Sequence, residues 1–130
     1  NYGWPLFTLG LDYDGEPVTI GEDLGLDFAL EDTEEPIVDF TPAPAISSFE
    51  FYRGEAFPAW QHDLIVGSLR ARTLYRLRIE DGLLVDQEKL LTGLARIRDV
   101  EVGADGYVYL LLEHGELGTV VCLVPGESMQ

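Results

Sequence analysis

From Ser48 onward, side chains alternate in character with a period of two, and tight-turn residues interrupt the alternation at short intervals. Successive side chains of a strand point to opposite faces, so this period specifies strands rather than an amphipathic helix. Thr73, Tyr75, Leu77 and Ile79 fall on one face and Leu74, Arg76 and Arg78 on the other, the pattern of a half-exposed strand. Glu80-Asp81-Gly82 has the composition of a hairpin turn, and Leu83 to Val85 returns from it. Phe49 and Phe51 belong to an earlier strand, Asp63 to Leu69 to another, and Lys89 to Leu91 to a further short one. Then follow Ile97 to Val102, a turn at Ala104-Asp105-Gly106, Tyr107 to Leu112, a turn at His114 to Gly118, and Thr119 to Val124.

Strands linked in this way form an antiparallel meander of two similarly spaced units, the second ending after three strands. Four-stranded meanders repeating every ~40–50 residues are the signature of propeller blades. An antiparallel sandwich is the alternative that the same pattern permits. The expected division is an irregular acidic segment at 1–47, a blade at 48–92, and a partial blade with a C-terminal tail at 93–130. Residues 1–46 hold no Lys or Arg, and Pro5, Pro17, Pro36, Pro42 and Pro44 punctuate them. Loops with short extended pieces such as Glu16 to Ile20 are expected there. A stretch that long without regular structure is usually functional or packs on something else.

Charge limits the partners. The formal net charge is −16 at pH 7, which argues against nucleic acid or an anionic membrane surface. No apolar run approaches the ~20 residues of a membrane helix, and no signal-peptide pattern is present. The chain begins Asn1-Tyr2 rather than Met, so the location of a longer parent stays open. Cys122 is the one cysteine, which leaves no intrachain disulfide and no thiolate zinc site. Val120, Val121 and Leu123 beside it suggest an ordinary buried thiol.

All eight Lys and Arg residues lie between Arg53 and Arg98. Within that stretch, Arg96-Ile97-Arg98-Asp99-Val100 would place two guanidinium groups on one strand face. Like charges so placed repel unless solvent or an anionic group separates them. The pair is therefore either a solvated edge or half of an anion site. Arg72, Arg76 and Arg78 are expected to be plain surface charges.

Several stretches, taken together and in order, resemble the C-terminal part of the soluble quinoprotein sugar dehydrogenases. This is the glucose/sorbosone or aldose dehydrogenase family that uses pyrroloquinoline quinone (PQQ). The resemblance rests first on Asn1-Tyr2-Gly3-Trp4-Pro5 and Tyr13-Asp14-Gly15. It continues through Thr41-Pro42 to Ser47-Ser48, Phe51-Tyr52-Arg53-Gly54 and Phe57-Pro58-Ala59-Trp60. Leu64-Ile65-Val66-Gly67-Ser68-Leu69, Arg96-Ile97-Arg98-Asp99-Val100, Asp105-Gly106 and Tyr107-Val108-Tyr109 complete it. Each motif is weak alone; the ordered set is specific and runs nearly end to end.

The resemblance implies an all-β fold, antiparallel four-stranded blades of a six-bladed β-propeller. About two blades would be present here, an incomplete ring. It implies oxidation of the C1 hydroxyl of aldose sugars by hydride transfer to PQQ, with calcium polarising the quinone, in a periplasmic or secreted protein. The family's general-base histidine comes from an earlier blade and its calcium-holding carbonyls from upstream, so this chain alone is expected to be inactive. The family's cofactor contacts carry over to Arg96 and Arg98. They carry less directly to Arg70, which stands where the family has lysine. Ala43 replaces a Ser or Thr that reaches the cofactor, and Phe40 replaces a Trp, losing an indole donor, so neither PQQ nor calcium is expected to be tightly bound to this chain alone.

A non-catalytic blade module for sugar binding, or for self-association through open blade edges, is the alternative function. Asp12, Asp14 and Glu16 suggest a calcium loop, but Pro17 sits where such a loop needs its turn glycine, and a solvated acidic loop is the expectation. His62 and His114 show no metal-site spacing, and Ser47 and Ser48 no nucleophile elbow.

Overall fold

The computed structural model describes residues 1–126. Two compact units divide the chain, Asn1–Ala43 and the remainder from Pro44.

The first unit is organised by glycines pressed against one phenylalanine. Gly3 takes a left-handed φ of 84°, and a Cβ there would lie 2.6 Å from the Phe7 carbonyl oxygen. That turn lets Leu6 and Phe7 both donate to the Gly3 carbonyl, which accounts physically for the glycine in Asn1-Tyr2-Gly3-Trp4-Pro5. Phe7 is buried and meets Phe28 edge to face at 4.9 Å. A helix, α1 (Ile20–Asp23), lays Gly21 against the Phe7 ring, where no side chain would fit. The extended piece expected at Glu16 to Ile20 does not form. Pro17 makes one isolated bridge to Leu11, and Ile20 already belongs to α1.

The second unit is all-β. Strands β1 (Ile46–Phe51), β2 (Leu64–Ser68), β3 (Thr73–Glu80) and β4 (Leu83–Thr92) form a four-stranded antiparallel sheet in chain order. Strands β5 (Arg96–Val102), β6 (Val108–His114) and β7 (Leu117–Leu123) form a three-stranded one, and among the described residues no ring closes. These are the expected blade-like meanders, with two differences.

The returning strand β4 is continuous through Lys89–Leu91 rather than ending at Val85. Register shifts opposite Leu74/Tyr75 and Arg78/Ile79 insert extra residues into it. Each bulge flips the alternation, so one strand has the periodicity of two short ones. The other difference is β3. It is an interior strand with Leu74, Tyr75 and Leu77 all buried, and its arginines are covered as described below.

The two sheets share a core of Ile65 and Leu74 from the first and Ile97, Val100, Leu110 and Leu112 from the second. Tyr52 plugs one end of it. Its hydroxyl donates to the Gly106 carbonyl at 2.7 Å and accepts from the Phe57 N–H at 2.9 Å. Phe57 and Trp60 stack at 4.1 Å, and both meet the Tyr52 ring edge-on. A Cβ on Gly54 would come within 2.7 Å of Gly106, so the glycine of Tyr52-Arg53-Gly54 is required by a close backbone approach.

Cys122 is exposed, not buried. It lies on β7, which has β6 on one side and, among the described residues, no strand beyond, so its apolar neighbours do not enclose it.

Candidate functional site

Strand β5 is held from below by β1 and β2. A Cβ on Gly67 of β2 would lie 2.8 Å from Ile97 and 3.0 Å from Val100, so only glycine lets the strands come this close. The register of β1 shifts between Ile46 and Phe49, and this bulge frees two serine hydroxyls to reach β5. Ser47 donates to the Ile97 carbonyl at 2.6 Å, and Ser48 donates to the Asp99 carboxylate at 2.7 Å. Asp99 also accepts the Val100 N–H at 3.0 Å. Ile97 and Val100 are buried, so Arg96 and Arg98 on either side of Ile97 are turned outward.

Both guanidinium groups converge on Glu113 of β6. Glu113 pairs with Arg96 across the strands, and its Oε1 lies 3.8 Å from Arg96 Nη1. Arg98 Nε donates to its other oxygen, Oε2. A second bulge, between Ile97 and Asp99, places Arg98 where it can share the carboxylate opposite Arg96. The repulsion expected between two arginines is thus relieved by one internal anion, and cations still outnumber anions there. The Arg98 contact engages its Nε edge, while the parallel nitrogen fork that suits an external carboxylate is not used in it.

Beside this group lies a cleft of about 510 Å³ lined by Arg72, Leu94, Ala95, Arg96, Glu113 and His114. Sites for small ligands typically span ~300–1,000 Å³. The first unit has its own cleft of about 520 Å³, but Glu31, Glu34, Glu35 and Asp39 line it beside Tyr2 and Phe40. An anionic ligand favours the arginine cleft and is repelled by the other. Among the described residues no group of three or more His, Cys, Asp or Glu is placed to hold a metal. Asp12 and Asp14 instead cap their own turn, each accepting a backbone N–H from within it.

Of the sequence candidates, Arg96 and Arg98 are brought together. Arg70 sits on the exposed turn between β2 and β3, its N–H bound to the Pro44 carbonyl at 3.1 Å. It makes no polar side-chain contact with Arg96 or Arg98 among those of the described residues. Arg72, expected to be a plain surface charge, lines the cleft.

Arg76 and Arg78 are not plain surface charges either. Asp63, 2 % exposed, accepts from Arg76 Nη1 at 2.9 Å and from Arg78 Nε at 3.0 Å. Arg76 also reaches Asp86 and Glu88, and Arg78 the Ala59 carbonyl. This is a structural clamp under β3. The clamp follows from the β2–β3 register: the pairing of Leu64 with Leu77 carries Asp63 opposite Arg78. Glu113 could be found only once the β5–β6 register and its bulge were known.

The comparisons with known proteins agree with this architecture. The glucose/sorbosone dehydrogenase family model matches residues 1–121. The chain belongs to the glucose/sorbosone dehydrogenase family. It is 36% identical over 122 residues to the aldose sugar dehydrogenase YliI of Escherichia coli (strain K12), covering 90% of this chain and 31% of that protein. A crystal structure of glucose dehydrogenase superposes with a TM-score of 0.82 at 36% identity, covering 97% of this chain and 35% of the other. The soluble aldose sugar dehydrogenase of Escherichia coli, in its apo form, gives 0.68 at 31% identity over 88% of this chain and 32% of its own. This family member therefore spans about a third of the length of these relatives.

The Arg98 hydrogen bond, followed by the charges of Arg98 and Arg96, holds the Glu113 carboxyl below the usual glutamate range. A lowered carboxyl contributes stability above its unfolded value, and that contribution is lost as pH falls through the folded one. Carboxyl-carbon NMR titration is expected to place the Glu113 midpoint below ordinary glutamate, with Arg98→Ala returning it upward. A midpoint that ignores the substitution would break the pairing argument.

Proposed function

We propose that the chain supplies the cofactor-holding arginines of a PQQ-dependent aldose dehydrogenase of this family. The observation that carries the reading is the Arg96–Glu113–Arg98 cluster beside a cationic cleft, on a strand locked by Ser47, Ser48 and Gly67. PQQ is a planar tricarboxylate, and guanidinium groups suit it twice, by bidentate pairing and by stacking on conjugated rings. The donor set therefore fits the cofactor. When bound, PQQ supplies the acceptor for the hydride removed at C1 of the sugar. The part of this chain is to bind and orient it: Arg96 and Arg98 meet its carboxylates, and Arg70 adds charge from the β2–β3 turn.

No residue here is assigned as general base or as calcium ligand. His62 and His114 are exposed, and neither belongs to a group placed to hold a metal among the described residues. By itself the chain is proposed to bind cofactor only weakly and not to turn sugar over. The carboxylate acceptors and rings of the first unit's cleft suit hydroxyl donors such as an aldose. A periplasmic or secreted location is proposed on the family resemblance; no helix among the described residues is long and apolar enough to cross a membrane.

Equilibrium dialysis of the chain against PQQ tests the assignment. Substituting Arg96 and Arg98 by Ala is expected to weaken binding roughly ten- to a hundredfold, with far-UV circular dichroism unchanged. Unchanged affinity would return both arginines to the status of surface charges.

One observation favours assembly as a second reading. β7 carries no charged residue, has no strand beyond it among the described residues, and exposes Leu117 at 72% and Val120 at 67%. The opposite outer strand β4 is guarded by Asp86, Glu88 and Lys89, the usual protection of an edge. Light scattering across a concentration series is expected to reveal self-association that Val120→Lys suppresses; a monomer at every concentration would remove this reading.

A further inference from the structure

The geometry points to Arg72 as a carboxylate-binding residue, forming with Arg96 an anion subsite in the cleft between the β2–β3 turn, the segment leading into β5 and the β6–β7 turn. This inference rests on the reading of Arg96 and Arg98 as a cofactor anchor, and extends it to a residue outside that pair.

Three observations carry it. First, Arg72 and Arg96 line one cleft of about 510 Å³, together with His114 and with Glu113 as its one anion. Leu94 and Ala95 supply an apolar wall, which reduces solvent screening of whatever the arginines hold.

Second, in this strongly acidic chain Arg76, Arg78, Arg96 and Arg98 are each paired with an internal carboxylate. Among the polar side-chain contacts of the described residues, Arg72 has no such partner. A cation left without an internal carboxylate, facing a cleft that a paired arginine also lines, is available to an external one.

Third, the backbone at Arg72 is strained. Its φ is 51°, the left-handed region that a long L side chain adopts only at a cost. Glycine serves this conformation freely, and glycines fill comparable turn positions elsewhere in the fold at Gly82, Gly106 and Gly115. The strained turn is tied down from both sides. The Arg72 carbonyl accepts the Gly93 N–H at 3.0 Å, and the N–H groups of Arg70 and Ala71 bond the Pro44 carbonyl at 3.1 Å. Gly93 lies three residues before Arg96, so the same hydrogen bond links Arg72 to the segment that leads into β5. Ala45, His62 and Asp81 share this conformation, so the strain supports the two observations above rather than standing alone.

The ligand chemistry is a carboxylate on a compact, partly apolar body. Two sources present it: a carboxylate of the quinone cofactor, or the carboxylate of an oxidised sugar. Titration of the chain with PQQ and, separately, with glucuronate distinguishes them, read by the backbone amide NMR signals of Gly93, bonded to the Arg72 carbonyl, and of Gly115, which lines the cleft.

At least one ligand is expected to move both signals. Arg72→Gly should weaken that ligand several-fold while raising the thermal midpoint by a few degrees, because it removes both the charge and the strain. Arg72→Lys should keep most of the affinity. A glycine variant that binds as tightly as the natural chain overturns the inference, as does silence of both signals with both ligands. If the Arg96/Arg98 double substitution abolishes PQQ binding while Arg72→Gly leaves both PQQ and glucuronate binding intact, the inference alone fails. If neither variant changes PQQ binding, the cofactor reading fails with it.

Discussion

The contact on which the rest depends is the close approach of β2 to β5, made possible by Gly67. A single methyl there would collide with Ile97 and Val100, in an interior where even one added carbon is felt. Because the strands come that close, the Ser47 and Ser48 hydroxyls can span from the β1 bulge to the Ile97 carbonyl and the Asp99 carboxylate. Those two bonds fix β5 in depth and along its axis. With Ile97 and Val100 sealed in the core, Arg96 and Arg98 have one direction left. Most of the Arg96-Ile97-Arg98-Asp99-Val100 stretch is therefore scaffolding for its two charges.

The charges are distributed with economy. A strongly acidic chain neutralises a stray arginine readily, and two distinct uses of that chemistry appear. Under β3, Asp63 takes both Arg76 and Arg78 and is itself almost fully buried. Such a group costs heavily if half of it is removed, and it holds shape rather than ligand. On β5 a single half-exposed glutamate serves two arginines that remain about half exposed. Solvent access and excess positive charge are what the proposed anion site requires and a structural clamp does not.

Much of the second unit was legible because strands announce themselves with a period of two. The β5, β6 and β7 segments and the Glu80-Asp81-Gly82 turn could be placed from alternation and turn chemistry alone. What alternation could not show were the bulges. They split β4 into two apparent strands, and they also bring Arg98 to Glu113 and turn the serines toward β5. The interior position of β3 was hidden because Arg76 and Arg78 look like solvent-facing charges until their counter-ion is located. Cys122 departs from its expected burial for the opposite reason: apolar neighbours signal burial only where another layer covers the strand. Of the candidate site, the arginine pair was visible and its internal anion was not, since that pairing is a matter of register. In the first unit, Gly3 of the opening motif makes sense only once Phe7 is seen packed against it.

The central claim is that this chain presents Arg96 and Arg98 as an anion anchor while Arg76 and Arg78 are structurally committed. Side-chain Nε–Hε NMR signals of all four arginines, followed as PQQ is added to the chain, address it directly. The signals of Arg96 and Arg98 are predicted to shift with the cofactor and those of Arg76 and Arg78 to stay in place. Equal movement of all four, or movement confined to Arg76 and Arg78, would contradict it.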